Sequence, residues 1–305
     1  MGGAASKDRY DRAAVTGILT LHEQNVTSWP RLTAALKKLP SLRTISITDN
    51  PLRDPVPYAF TSLSLWSTLV SLDLSHNRLK CACALGSETP LPRSHAAEAL
   101  TRVTTKPVGN TAYGSRQLPL ESLNISGNDL HMLPPLLSAR FPRLRRLICT
   151  DNKTALDIPV SLERCIGASR SLEVVALQRN GLQTFTIADD AVEKPFPALR
   201  ELLLDQNHLG GTVSLGLVSG KESPILPSLK RITLDNQRGK GPLRRIDAAI
   251  FAHCPGLVCL SLQGNCNEGE LRDSLAQSDT YRSWQERKKD VIDKKLHAGG
   301  QAELL

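Results

Sequence analysis

An eleven-residue pattern of leucine and asparagine recurs along this chain and constrains its fold more than any other feature. The clearest copies have the form L-x-x-L-x-L-x-x-N-x-L, with other apolar residues at some leucine positions, and begin at Leu42, Leu69, Leu120, Leu172 and Leu199. Less regular copies begin at Leu144, Leu229 and Leu257, and an atypical first copy begins at Thr16. Most copies start about 24 to 30 residues after the previous one, a period typical of stacked repeats.

The spacing within each copy predicts its local structure. The L-x-L core should form a short strand whose side chains alternate between two faces. The inward leucines of successive copies then stack into one continuous apolar core, which no single repeat could enclose. The pattern is that of the leucine-rich repeat. It predicts an α/β solenoid, a curved array with parallel strands on the concave face and helices or turns on the convex face.

Most copies place an asparagine in the turn that follows the strand. A buried side-chain amide there can donate to, and accept from, the backbone of its own turn and of the neighbouring repeat. We therefore predict a row of structural asparagines: Asn50, Asn77, Asn128, Asn152, Asn180, Asn207 and Asn265. Gln237 stands where the pattern expects another asparagine.

The regular copies divide the chain into three predicted parts. Residues 1–14 form an N-terminal acylation segment and cap, 15–268 the solenoid, and 269–305 a C-terminal capping helix with a basic tail. Caps are needed because the last core layer would otherwise face water. Within the solenoid, residues 81–119 are rich in Pro, Gly, Ser and Thr, show no L-x-L core and predict a flexible insertion. This insertion is either an ornament or an element that docks a partner.

Side chains that alternate with the core leucines should point to the concave, solvent-facing side of the sheet. In the first half of the array they are small and polar, as at Thr44, Ser71 and Ser122. In the second half they combine charged and exposed apolar residues, the composition of a protein-binding surface. The predicted partner-binding residues are Arg146, Ile148, Val174, Glu201, Leu203, Asp205, Arg231 and Asp235. The alternative is an ordinary soluble sheet face, since every protein exposes some apolar side chains.

Other classes of function find little support in the sequence. The net charge is +8, but the basic residues are dispersed and not interleaved with aromatic residues, so nucleic acid is not an expected partner. No phosphate-binding loop, catalytic Ser/His/Asp motif or paired-carboxylate signature is present, so we expect no enzyme, no cofactor and no small-molecule substrate. Cys81 and Cys83 form a C-x-C pair without a second pair at zinc spacing, which favours free cysteines over a metal site.

The first seven residues, MGGAASK, match the M-G-x-x-x-[ST] pattern that directs N-myristoylation of Gly2. The alternative is an unstructured terminus that happens to begin with Met-Gly. The chain carries no secretory signal and no apolar stretch long enough to span a membrane. These features predict a cytoplasmic protein with reduced thiols, held peripherally on membranes by its lipid.

Both ends of the chain resemble the family of leucine-rich repeat-containing protein 57. Gly2, Thr16-Gly17 and Trp29-Pro30 match the family's Met-Gly start, first repeat and aromatic-proline step, and Gly264-Asn265 and Trp284 match its closing segment. The insertion and the irregular later repeats depart from the family's pattern. The resemblance implies an N-myristoylated eukaryotic repeat protein.

These observations together predict a non-catalytic scaffold for protein–protein interaction, reversibly attached to a cytosolic membrane face. The alternative is a soluble regulatory subunit that binds an enzyme, such as a phosphatase, through its concave face. The sequence names neither the partner nor the membrane.

Overall fold

Short parallel strands, one from each repeat, build the molecule. A computed structural model of the chain describes residues 4–86, 118–152, 161–187, 195–217, 224–239 and 241–297. Gly2 and most of the predicted insertion lie outside them. The strands are β1 (Ile18–Thr20), β2 (Thr44–Ser46), β3 (Ser71–Asp73), β4 (Ser122–Asn124), β5 (Arg146–Ile148), β6 (Val174–Ala176), β7 (Glu201–Leu203), β8 (Gly211–Val213), β9 (Arg231–Thr233), β10 (Leu243–Ile246) and β11 (Cys259–Ser261).

Nine of these strands form one sheet in the order β1-β2-β3-β4-β5-β6-β7-β9-β11, and every neighbouring pair is parallel. The register is regular, so the middle residue of each strand aligns with the middle residue of the next, as in Leu72 beside Leu123. These middle residues face the core and are buried in every strand except β11, where Leu260 is partly buried. The predicted leucine-rich-repeat solenoid is confirmed.

Short helices connect the strands on the opposite side of the core. The α-helices are α1 (Ala4–Thr16), α2 (Trp29–Leu36), α3 (Tyr58–Thr61), α4 (Leu137–Arg140), α5 (Leu162–Ile166), α6 (Ala249–His253), α7 (Glu268–Ala276) and α8 (Asp279–His297). Two 3₁₀ turns cover Ser64–Ser67 and Cys83–Leu85. Connections this short leave most of the stabilisation to leucines shared between repeats rather than to helix propensity.

A row of aromatic side chains runs through the first half of the core. The ring centroids of Trp29 and Phe60 lie 5.2 Å apart, those of Phe60 and Trp66 5.5 Å, and those of Trp66 and Phe141 5.6 Å. Buried Arg140 lies over Trp66 and Phe141, with its guanidinium carbon 5.6 Å from each centroid. These four aromatic side chains therefore link α2, α3 and the end of α4 on the helix side of the core.

The asparagine side chains link each turn to its neighbours. Asn207 donates to the carbonyl oxygens of Leu177 and Leu204 at 2.9 and 2.8 Å and accepts from the backbone N–H groups of Asn180 and Leu182. All seven asparagines of the row are buried. Such amides satisfy backbone groups inside the solenoid that have no ladder partner.

Gln237 occupies the position of the missing asparagine in the same network. Its amide donates to the Leu204 carbonyl at 2.9 Å, and its oxygen accepts from the Leu209 N–H at 3.2 Å. The extra strands β8 and β10 lie in the connections that follow β7 and β9. Those two strands form a separate parallel pair that the eleven-residue pattern does not predict.

Both ends of the core are covered by helices. Helix α1 packs beside β1, with Ala13 buried, and continues to Thr16, past the predicted boundary at residue 14. The C-terminal cap contains two helices, where the sequence predicted one. Leu271 of α7 and Trp284 of α8 are buried, and the Trp284 Nε1–H donates to the Leu257 carbonyl at 2.6 Å. Within the described part of the chain, no helix has the length and apolar character that crossing a membrane requires.

Candidate partner-binding face

Four small or apolar side chains lie together on the concave face. The register places Ile148, Ala176 and Leu203 side by side on β5, β6 and β7. Val174 lies two residues before Ala176 on the same face of β6, and aligned neighbours in a sheet are about 4.8 Å apart. We call Ile148, Val174, Ala176 and Leu203 the apolar patch. Ala176 is 5% exposed, whereas the other three are half-buried, so the patch has a small side chain between two larger ones.

Charged residues border the apolar patch in the same register. Arg146 and Glu201 align with Val174 on its two sides, and Arg231 aligns with Glu201 on the next strand. Arg146 is exposed, and Glu201 and Arg231 are half-buried. Within the described ranges, none of these three side chains makes an ion pair or a side-chain hydrogen bond. Their charges therefore remain available to a partner.

The two predicted aspartates, Asp205 and Asp235, accept hydrogen bonds from the next repeat. Asp205 accepts hydrogen bonds from the Thr233 hydroxyl at 2.6 Å and the Asp235 N–H at 2.9 Å. Asp235 repeats this arrangement one strand later, accepting from Ser261 and Gln263. Both carboxylates thus join consecutive repeats, and whether they also contact a partner stays a prediction.

Polar side chains on the first half of the concave face also form hydrogen bonds within the sheet. Asp73 accepts from the Asn124 amide at 3.2 Å and from the Ser75 N–H at 2.8 Å. Ser126 accepts from the Thr150 N–H at 3.0 Å. Small polar side chains that bond to one another offer a partner little apolar area and few unsatisfied charges. Exposed apolar side chains and charges without partners in the described ranges are therefore concentrated on β5, β6, β7 and β9.

Two ion pairs join β5 and β6 at the two ends of these strands, beside the apolar patch. Arg145 and Glu173, which precede β5 and β6, pair at 2.6 Å between the guanidinium and carboxylate. At the other end of the same strands, Arg179 pairs with Asp151. Both pairs are partly exposed, and exposed ion pairs contribute little to stability. They frame the patch with groups that already have partners.

A shallow groove of about 540 Å³ lies at the turns of the first half, lined by Asp49, His76, Arg78, Gly127 and Asp151 among others. A Cβ added to Gly127 would lie 2.5 Å from Nδ1 of His76, so a larger residue at position 127 would crowd the ring that lines this groove. No group of three or more His, Cys, Asp or Glu side chains in the described ranges could hold a metal ion.

Ala176 and Gln178 are features of this face that the sequence did not single out. A single alanine in the sequence does not indicate a binding surface, but between Ile148 and Leu203 its small side chain shapes the apolar patch. The side-chain oxygen of Gln178, next to Ala176 on the same face, is buried and has no hydrogen-bond partner in the described part of the chain. No signal in the sequence distinguished it from other exposed polar positions.

The register, the buried asparagines and the single continuous core define the class of fold as a leucine-rich-repeat solenoid. No family model matches the chain, and no curated protein matches it. Among solved structures, the chain is similar to one described as the functional domain of InlJ from Listeria monocytogenes, which includes a cysteine ladder. The two are 16% identical with a TM-score of 0.35, over 84% of this chain and 55% of that one. This chain thus spans about half the length of that neighbour.

Proposed function

We propose that this protein is a non-catalytic interaction scaffold that binds a protein partner through the apolar patch on its concave face. One observation carries the proposal: Val174 lies between Arg146 and Glu201, Ile148, Ala176 and Leu203 lie beside it in the next row, and the two charges have no partner in the described ranges. An apolar centre bordered by charged residues is the usual composition of a protein-binding surface. The matching partner presents apolar side chains towards Ala176 and opposite charges towards the border.

Replacing Val174 with lysine tests this site. The long charged side chain would lie in the centre of the apolar patch, between Arg146 and Glu201, where it keeps one neighbour of each sign. Because central contacts dominate interface energies, we expect recovery of the main partner to fall by about tenfold or more. The measurement is affinity capture with the intact protein, followed by quantitative mass spectrometry.

Ser71→Lys supplies the matched control. Ser71 occupies the same register position on β3 and is also half-buried, but its neighbours Thr44 and Ser122 are small and polar. This variant should capture the partner as the wild type does. Equal losses in the two variants, or no loss in Val174→Lys at an unchanged melting temperature, would place the partner elsewhere.

We further propose that the scaffold is N-myristoylated on Gly2 and reversibly attached to a cytosolic membrane face. The heptapeptide MGGAASK and the resemblance to the family of leucine-rich repeat-containing protein 57 support this proposal. One myristoyl chain gives only marginal binding to bilayers, so a second contact would be needed for firm attachment. Helix α8 offers one, since Arg287 and Lys289 are exposed on it and more basic residues follow.

Substitution of Gly2 separates this proposal from a purely soluble regulatory subunit. Wild type should divide between membrane and cytosol, whereas Gly2→Ala should be almost wholly soluble because the acceptor amine is altered. Gly3→Ala is the matched control, since it leaves that acceptor in place. Fractionation and mass spectrometry of the N-terminus provide the measurements. An unmodified or acetylated wild-type terminus would exclude the lipid and leave the soluble alternative.

A further inference from the structure

Two cysteines at the start of the predicted insertion lie in direct contact. The Sγ atoms of Cys81 and Cys83 are 2.6 Å apart and share a hydrogen bond, and the backbone N–H of Cys83 donates to the Cys81 sulfur at 3.2 Å. Both residues are partly exposed. Two partly exposed cysteines thus hold their sulfur atoms against each other.

The backbone around this pair is fixed on both sides. The Val56 N–H donates to the Cys81 carbonyl at 3.0 Å, and Arg140 donates to the Ala84 carbonyl at 3.2 Å. Leu85 is fully buried, and a Cβ added to Gly86 would lie 1.5 Å from the Pro135 carbonyl oxygen. The short 3₁₀ turn that carries Cys83 is thus packed against the solenoid. This packing holds the two thiols next to each other.

The contact also alters the acidity of the two thiols. The hydrogen bond that the Cys83 thiol donates when Cys81 is ionised lowers the pKa of Cys81 to about 6, with a smaller lowering from the Cys83 N–H. The same hydrogen bond, together with burial, raises the pKa of Cys83. Cys81 is therefore the attacking thiolate near neutral pH, and Cys83 is the second thiol.

We propose that Cys81 and Cys83 form a redox site that a small-molecule disulfide, such as oxidised glutathione, converts reversibly into an intramolecular disulfide. The Cys81 thiolate attacks one sulfur of glutathione disulfide, whose S–S bond breaks and releases one glutathione, which takes up a proton. Cys83 then loses its proton and attacks the Cys81 sulfur, releasing the second glutathione. The protein loses two hydrogens, and one glutathione disulfide is reduced to two glutathione molecules.

The chain offers a matched internal comparison for this reaction. Cys266 is exposed but lies in contact with Asn267 rather than with another thiol. Oxidised glutathione should leave it as a mixed disulfide. Cys149 and Cys254 are buried, and burial raises the pKa of each to about 12, so both should stay reduced in the folded protein.

Peptide mapping of the intact protein tests the proposal. The reduced chain is equilibrated with mixtures of reduced and oxidised glutathione, quenched with acid, alkylated and cut with trypsin. Lys80 and Arg93 then release Cys81 and Cys83 on one peptide without other cysteines. We expect this peptide to lose two hydrogens and resist alkylation. In Cys83→Ser, Cys81 should instead retain glutathione, and Cys266→Ser should leave the oxidation of the pair unchanged.

Denaturation shows whether the fold favours this disulfide. The same titration in urea removes the packing against Val56 and Pro135 but keeps the spacing of the two cysteines. The equilibrium constant for disulfide formation should be roughly tenfold or more higher in the folded chain. Equal constants in the folded and denatured chains, or a folded peptide with two glutathione adducts and no intramolecular disulfide, would overturn the proposal.

Discussion

Residues in the left-handed backbone region recur just before the asparagine turns. Asp49, His76, Asp151, Arg179 and Gln206 all have positive φ values of 52° to 56°. This conformation costs an L-residue roughly 1–2 kcal/mol. In these five turns the asparagine network offsets the cost through hydrogen bonds to neighbouring repeats, so the left-handed conformation does not depend on glycine there.

Gly127 is one turn position where glycine is required. Its φ is +63°, and an added Cβ would lie 2.5 Å from Nδ1 of His76. Gly211 has a similar φ of +68° but nothing within 4 Å of such a Cβ. We expect Gly127→Ala to lower the free energy of unfolding by about 2–3 kcal/mol, and Gly211→Ala by about 1 kcal/mol.

Urea denaturation followed by circular dichroism measures both variants. Adding His76→Ala to Gly127→Ala should recover the steric part of the loss, because the ring is then absent. Equal destabilisation by the two glycine variants would show that backbone conformation alone, and not the approach of His76, determines the preference.

At the scale of elements, the C-terminal cap closes the core through one large buried side chain, that of Trp284. Trp284 is 5% exposed, packs against Phe251 with ring centroids 5.2 Å apart, and bonds to the Leu257 carbonyl. Trp284→Ala should cost about 3–5 kcal/mol, since it opens a cavity and leaves that carbonyl without its donor. Arg287→Ala, an exposed substitution on the same helix, should change stability by no more than about 0.5 kcal/mol.

Hydrogen exchange localises that effect. Loss of Trp284 should increase the exchange of amides in β11 and β9, the strands nearest the cap, before those in β3. Unfolding of both variants at the same urea concentration would mean that α8 is dispensable and that α7 alone closes the core.

The eleven-residue pattern predicted the main-sheet strands because Leu and Ile alternate with polar residues in a fixed frame. It missed β8 and β10, since Gly211–Val213 and Leu243–Ile246 lie outside the repeated copies and have no L-x-L core. The pattern also predicted which side chains face the concave side, but it gave no sign that Asp205 bonds to Thr233 and Asp235 of the next repeat. A carboxylate that bonds one repeat further along is visible only once the register between strands is known.

At the scale of the whole molecule, the two proposed membrane contacts lie far apart. Helix α1 follows Gly2 and packs on β1, while α8 lies beyond β11 at the other edge of the sheet. Nine strands leave eight spacings between these edges, roughly 38 Å at about 4.8 Å each. A flat bilayer can touch both ends only if the solenoid lies lengthwise on it. Held by its lipid alone, the protein would pivot freely about one end. Anchored at both ends, it would hold its partner at a fixed distance above the lipid headgroups.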